Sequence, residues 1–441
     1  MFFNRIKVQN MNKILASFVL ATLTTSAIAQ SNTNSPYSQF GLGDLTDHSV
    51  GFNKGMNGVG IAMRRGNEVN PMNPASYSSI DSLTFLFDAG LSGQITNFKE
   101  NGKSLNGKSG GFDYVVGQFR AFKNMGIAFG VMPYSNIGYN YKTTETLNDA
   151  EKTITETDFE GSGGLHELFI GAGIRPFKPL SIGFNLSYFW GKYDRGTGSI
   201  ESSQLSVLTK EYRADISSYK LDFGVQLELP LNKRDNITLG ATWSPGHSLK
   251  SDPECLITNI NTTISKADTS TFKVSDGLRI PTQFGFGISY NHAQNLRVGA
   301  DFTMQKWGSV DYPQLITDVQ TNLTQYTLKS GLLKDSYHFN LGGEWTPRPM
   351  GRNFFQRVRY RLGVGMATPY YYINGKEGPK ELSASIGFGI PIMNGYNNRS
   401  VLNISGQIIN RSADNMIKET MFRLNIGLTF NERWFAKWKV E

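Results

Sequence analysis

The chain has almost no sulfur chemistry to offer, with one cysteine, Cys255, in 441 residues. No intramolecular disulfide can form, and a cluster of cysteine ligands is excluded. Histidine is scarce as well. His48, His166, His247, His292 and His338 stand at no metal-ligand spacing, so neither a metal nor a cofactor is expected. After residue 29 no apolar run approaches the roughly 18 residues a membrane-crossing helix needs, so helical spans are excluded. Charge of one sign is lacking too. Without residues 1–29, Lys+Arg falls from 44 to 41 against 36 Asp+Glu, which gives no footprint for nucleic acid. The glycines at 55, 58 and 60 precede no Gly-Lys-Ser/Thr, so they make no phosphate cradle. Trp243-Ser244-Pro245-Gly246 is no nucleophile elbow, and nothing here supports an enzyme.

What the sequence does have is an export signal followed by strands. Arg5, Lys7 and Lys13 precede an apolar core, Ile14 to Leu23, and Ala27-Ile28-Ala29 forms an A-x-A cleavage site. Residues 1–29 are therefore read as a signal peptide. In RIPTQFGFGISYNHAQNLRVGADFTMQKW, residues 279–307, apolar and polar or glycine residues alternate, break for four residues, and alternate again. A period of two means strands, and these run well past the roughly five or six residues of a typical globular strand. Fourteen such segments are expected: about 83–98, 112–122, 125–142, 164–176, 180–195, 216–230, 236–248, 278–291, 296–309, 335–346, 357–369, 381–391, 400–410 and 421–430.

The connections alternate short and long. The long ones are about 99–111, 143–163, 196–215, 249–277, 310–334, 370–380 and 411–420. That rhythm belongs to an up-and-down barrel with short periplasmic turns and longer external loops. Closure removes the sheet edges that could not be satisfied in lipid. The expected fold is all-β, a 14-stranded antiparallel transmembrane β-barrel spanning 83–430, in the outer membrane of a Gram-negative bacterium. Both termini are expected on the periplasmic side. Trp190, Trp243 and Trp307 are expected near the outer strand ends and Trp345 near an inner one, as interfacial belts. Residues 431–441 read as a periplasmic tail. The turn-rich, glycine-rich residues 30–82 do not read as wall; they suit backbone packed tightly inside something.

Asn73-Pro74-Ala75, ITLGATWSPGHSL (237–249), IPTQFGFGISYNHAQNLRVGADFTMQKW (280–307), YHFNLGGEWTP (337–347) and YRLGVGMATPYY (360–371) follow one another in an order that resembles the FadL family. These are outer-membrane transporters of long-chain fatty acids and other hydrophobic compounds. The resemblance implies that residues 30–82 form an N-terminal hatch in the lumen, with a turn at Asn73-Pro74-Ala75. It also implies lateral release of a fatty-acid-like ligand through a kink in strand three. Pro133 lies where that kink should be, flanked by Gly130 and Gly138, and proline cannot donate to the ladder. From inside, the Asn73–Pro74 turn is expected to approach it. Arg297, Arg359, Arg361 and Arg423 fall on the polar face as candidate lumen contacts for a ligand carboxylate. The partners implied are outer-membrane lipid and lipopolysaccharide, a hydrophobic small molecule, and other outer-membrane proteins or lipoproteins. A barrel scaffold of a secretion or assembly complex is the alternative function.

Overall fold

A computed structural model describes residues 32–146, 154–201, 206–261, 266–317, 323–393 and 399–433. The signal peptide and almost all of the C-terminal tail fall outside these residues. The wall is built from β1 (Thr84–Glu100), β2 (Lys103–Phe122), β3 (Met125–Thr146), β4 (Ile154–Ile174), β5 (Leu180–Glu201), β6 (Ser206–Pro230) and β7 (Asp235–Ser244). It continues through β8 (Gln283–His292), β9 (Leu296–Gln305), β10 (Ser336–Trp345), β11 (Arg359–Ala367), β12 (Lys380–Met393), β13 (Arg399–Ser412) and β14 (Lys418–Arg433). Each strand pairs antiparallel with the next, and β1 pairs with β14 from Thr84↔Arg433 to Lys99↔Lys418. The sheet is a closed fourteen-stranded barrel.

Register follows the alternation. Phe286, Phe302 and Phe339 lie side by side across β8, β9 and β10 and face outward, while Gly287, Asp301 and Asn340 share the next row and face the lumen. A one-residue slip would exchange the two sets, so the apolar outer face fixes the register. The outer set on β5, Ile182, Phe184, Leu186 and Tyr188, is exposed along its length. That is the face such a barrel presents to lipid.

Several expected loops are strand. The expected loop at 99–111 is the tip of the β1–β2 hairpin, closed at Asn101–Gly102 with φ of 47° and 78°. Positive φ at both central residues is the type I′ geometry that Asn-Gly favours. Residues 143–146 with 154–163, and 196–201 with 206–215, likewise continue the β3–β4 and β5–β6 ladders well beyond the expected strand ends. Glu254–Asn261 extends that sheet by pairing with β6 and with Lys266–Lys273. Period two is weak in these stretches because both faces meet water above the membrane.

Residues 32–82 lie among the inward-facing side chains of the wall. Their first part fills the long-hairpin end, where Tyr37 and Leu42 pack with Trp307, Tyr370 and Tyr371. Their second part fills the short-turn end, where Val50, Phe52, Met56, Val59, Met63 and Tyr77 pack against Leu86, Tyr114 and Val116. Trp307 is therefore not in an interfacial belt. It is 0% exposed, donates to Gln305 Oε1 and packs 4.6 Å from the Tyr370 ring. Lumen glycines make room for the inner backbone. A Cβ on Gly224 would sit 2.1 Å from Asn73 Oδ1, and one on Gly183 2.4 Å from the Pro74 carbonyl carbon.

Candidate functional site: a side window and the chamber behind it

The ladder between β2 and β3 is incomplete. It runs from Phe122↔Met125 at the short turn to Val115↔Val131 and stops. Beyond it, β2 pairs only with β1, and β3 pairs with β4 and with a two-residue strand of the inner segment, Asp44–Leu45. Among the described residues this is the one gap in the wall ladder. Both margins are bulged at its lower corner. Asp113 is the extra residue of β2 between Phe112 and Tyr114, and Tyr134 is the extra residue of β3 between Pro133 and Ser135. Bulges bend a strand and strengthen its local twist. Here they part the strands, and Pro133, with no N–H to give, sits at the corner of the parting.

The inner segment backs this window. Thr46 N–H donates to the Tyr134 carbonyl at 3.0 Å, and its hydroxyl donates to the Pro133 carbonyl at 2.5 Å. Asp44 and Leu45 pair with Asn136 and Ser135. Asn32 Nδ2 donates to the Phe112 carbonyl on the opposite margin at 2.7 Å. Unpaired backbone facing lipid costs several kcal/mol per group, and the inner segment supplies partners along β3. Gly130 lies near the top of the closed ladder, where a Cβ would meet the Val115 carbonyl at 2.5 Å. Gly138 lies above the bend and donates to Ser38 Oγ at 3.2 Å.

The Asn73–Pro74 turn is elsewhere. Asn73 caps the short 3₁₀ turn Pro74–Ser79 by accepting from Ala75 N–H, and its amide donates to the Ile61 and Val225 carbonyls. It is wedged against Gly183 of β5 and Gly224 of β6. Segment 44–46, not residues 73–75, meets Pro133. The reason is steric: the paired glycines of β5 and β6 offer the close approach that the turn requires, and the bent β3 does not.

The four candidate arginines separate into three and one. Arg297 donates to both Glu68 oxygens at 2.8 and 3.0 Å, and Arg359 donates to Glu68 at 2.6 Å. Arg361 Nε donates to Glu344 at 2.7 Å, and Arg65 binds the same carboxylate at 2.9 Å. Glu68 belongs to the inner segment and Glu344 to β10, so this network pins one to the other. Burial alone would raise the Glu68 pKa, but Arg297 first and Arg65 next hold it down to about 2. The sequence carried a signal for this role: Glu68 is the only acid between Asp47 and Asp81, and it follows Arg64-Arg65.

Arg423 stands apart. Its Nε and Nη2 both donate to Gln94 Oε1, at 3.0 and 2.7 Å. It lines a cavity of about 280 Å³ between the inner segment and the wall. Both window margins line the same cavity, β2 through Asp113 and β3 through Met132 to Tyr134 and Asn136. The chamber is polar. Lys54 pairs with Asp113 at 2.7 Å, Arg411 pairs with Asp44 and Glu381 at 2.8 Å each, and His48 reaches Glu167 at 3.3 Å. Burial tends to raise the carboxyl of Asp47, yet Lys54 foremost, with Ser49 and Arg423, holds it below the ordinary range. Among the described residues no cluster of His, Cys, Asp or Glu is arranged to hold a metal.

The architecture is a closed fourteen-stranded barrel with residues 32–82 among its inward-facing side chains and a break beside strand three. Among solved structures, the chain is similar to the Pseudomonas putida toluene transporter TodX, with a TM-score of 0.62, 12% identity and coverage of 89% of this chain and 100% of that one. It is also similar to the Ralstonia pickettii toluene transporter TbuX (0.58, 15%, 88% and 99%). A third similar structure is a Pseudomonas aeruginosa FadL homologue (0.60, 11%, 89% and 99%). At such identities the likeness is one of fold. The family model described as BamG matches residues 11–441, and the chain belongs to the BamG family. No curated protein matches it.

Proposed function

We propose that this chain is an outer-membrane barrel that exchanges an amphipathic, fatty-acid-like molecule between its lumen and the membrane through the window between β2 and β3. The observation that carries the reading is the shared cavity: one polar chamber is lined by both margins of the gap in the wall. Its short turns face the periplasm, and its hairpins face out of the cell. The fold it shares with toluene transporters supports a water-averse ligand. A pyrene-labelled fatty acid presented to cells carrying or lacking the protein tests it. Faster transfer into cells with the protein is expected, and equal transfer contradicts the reading.

A specific observation favours a second reading, a barrel scaffold of an outer-membrane assembly or secretion complex. The long-hairpin end is filled by an apolar cluster that includes Leu42, Trp307 and Tyr370, while β3 to β6 extend well beyond the neighbouring strands. A filled barrel end with raised sheets is suited to presenting surface. Gentle extraction followed by mass spectrometry of co-purifying proteins separates the readings. A stoichiometric protein partner, recovered without any effect of the barrel on amphiphile transfer, supports the scaffold.

A further inference from the structure

The short-turn rim of the barrel pairs exposed apolar side chains with unneutralised cations. Phe122-Lys123 closes β2–β3, Phe177-Lys178 lies between β4 and β5, and Leu231 precedes Lys233-Arg234 between β6 and β7. All seven side chains are exposed. Among the described residues none of these four cations makes a salt bridge. Several exposed cations at the long-hairpin end differ: Lys142 pairs with Glu156 and Asp158, Arg213 with Asp194, Lys273 with Glu254, and Lys306 with Asp335.

The turn between β10 and β11, residues 346–358, carries the same feature furthest. It holds Arg348, Met350, Arg352, Phe354, Phe355 and Arg357, and the chain has no acidic residue between Glu344 and Glu377. Met350 is 83% exposed and Phe355 73%, more than any other large apolar side chain among the described residues. The turn is tied to the lipid-facing side of the wall. Tyr360 lies in an outward row with its cross-strand neighbours Trp345 and Phe388, at ring distances of 5.8 and 6.0 Å. Its hydroxyl donates to the Phe355 carbonyl at 3.1 Å. The Arg348 N–H donates to the Gln356 carbonyl at 2.8 Å, which closes the base of the turn.

These contacts decide what covers the surface. Apolar rings at the end of a lipid-facing face meet the boundary between headgroups and acyl chains, where amphipathic groups settle. Cations a residue or two away then stand at the level of the phosphates, and each basic group near an anionic leaflet adds to the attraction. An acidic protein would match the arginines, but not an aromatic row that continues up the wall.

We infer that the short-turn rim, centred on residues 346–358, is a selective surface for phospholipids with anionic headgroups in the periplasmic leaflet. Arg348, Arg352 and Arg357 hold the headgroups, while Met350 and Phe355 enter the acyl boundary. From the proposed function the assignment takes only the placement of the short turns; it requires neither transport nor a protein partner.

The test is lipid retention by the full mature protein, purified in a neutral detergent and read by native mass spectrometry. The probes are phosphatidylglycerol and phosphatidylcholine with identical acyl chains. Wild type is expected to retain phosphatidylglycerol at least tenfold better at low salt, and to lose most of that preference in 0.5 M salt. Combining Arg348→Gln, Arg352→Gln and Arg357→Gln should cut the preference at least threefold. Met350→Ser with Phe355→Ser should weaken retention of both lipids and leave their ratio unchanged. Lys142→Gln, at the opposite end, should change neither. Heat-modifiability on gels confirms that each variant is folded. Should the triple variant fail to fold, Arg352→Gln alone and the salt dependence decide. Equal retention of the two lipids by wild type, or an undiminished preference in the folded arginine variant, overturns the surface. So does a co-purifying acidic protein that is lost with the arginines while the lipid ratio stays fixed. Loss of amphiphile transfer in cells with the lipid preference intact leaves this surface standing, whereas loss of the preference with transfer intact removes it alone.

Discussion

At the scale of single residues, Glu68 joins the inner segment to the wall. It accepts from Arg297 and Arg359, and Arg65 lies 3.5 Å away. Removing one member of a buried ionic group leaves charge without compensation, at a cost of roughly 3–5 kcal/mol. Glu68→Gln should therefore lower the local opening free energy of residues 47–72 by about 3 kcal/mol, measured by hydrogen exchange, while the wall strands keep their protection. The pH dependence has a definite sign. The folded pKa of Glu68 lies near 2, below its ordinary value of 4.5, so its contribution is complete above about 4.5. It fades as pH falls from there towards 2. Exchange in residues 47–72 should quicken over that window in wild type and show no such step in Glu68→Gln. Alternation alone placed the four arginines on the lumen face, but nothing in it distinguished Arg423 from the other three. That distinction depends on Glu68, which is 229 residues from Arg297 in the chain and adjacent to it in space.

At the scale of elements, β3 decides the wall. Its Pro133 was legible, because a proline in a strand of aromatic and aliphatic residues has few places to sit. Its partner was not. The pairing of Asp44–Leu45 with β3 spans two residues and leaves no period to detect. The Asn101–Gly102 turn was missed: Asn-Gly is a strong hairpin signal, but the glycines and lysines around it led to the expectation of a loop at 99–111. Pro133→Val restores one donor at the corner of the window. It should slow amphiphile transfer several-fold in the cell assay while heat-modifiability stays normal; unchanged transfer would remove the window from the route. Gly224→Val carries the opposite expectation. Its side chain would collide with Asn73, so the inner segment should loosen, with faster proteolysis or exchange of residues 60–80 and a wall that still closes.

At the scale of the whole molecule, the architecture was legible because it repeats. Fourteen apolar outer faces and alternating turn lengths admit one closed solution, and the β1–β14 ladder closes it. What the chain does with its lumen was less legible, because lumen chemistry comes from residues brought together across the barrel and from an inner segment with no periodicity. The central claim is that the gap between β2 and β3 meets a membrane amphiphile. A photo-crosslinking amino acid at Asn136, on the window margin, tests this most directly in intact outer membranes, with Phe286 on the lipid-facing wall as reference. The account predicts an amphiphile adduct at position 136 that free laurate competes away, and a reference adduct at 286 that it does not. A protein adduct at 136 as the main product, or one indifferent to laurate, would contradict it.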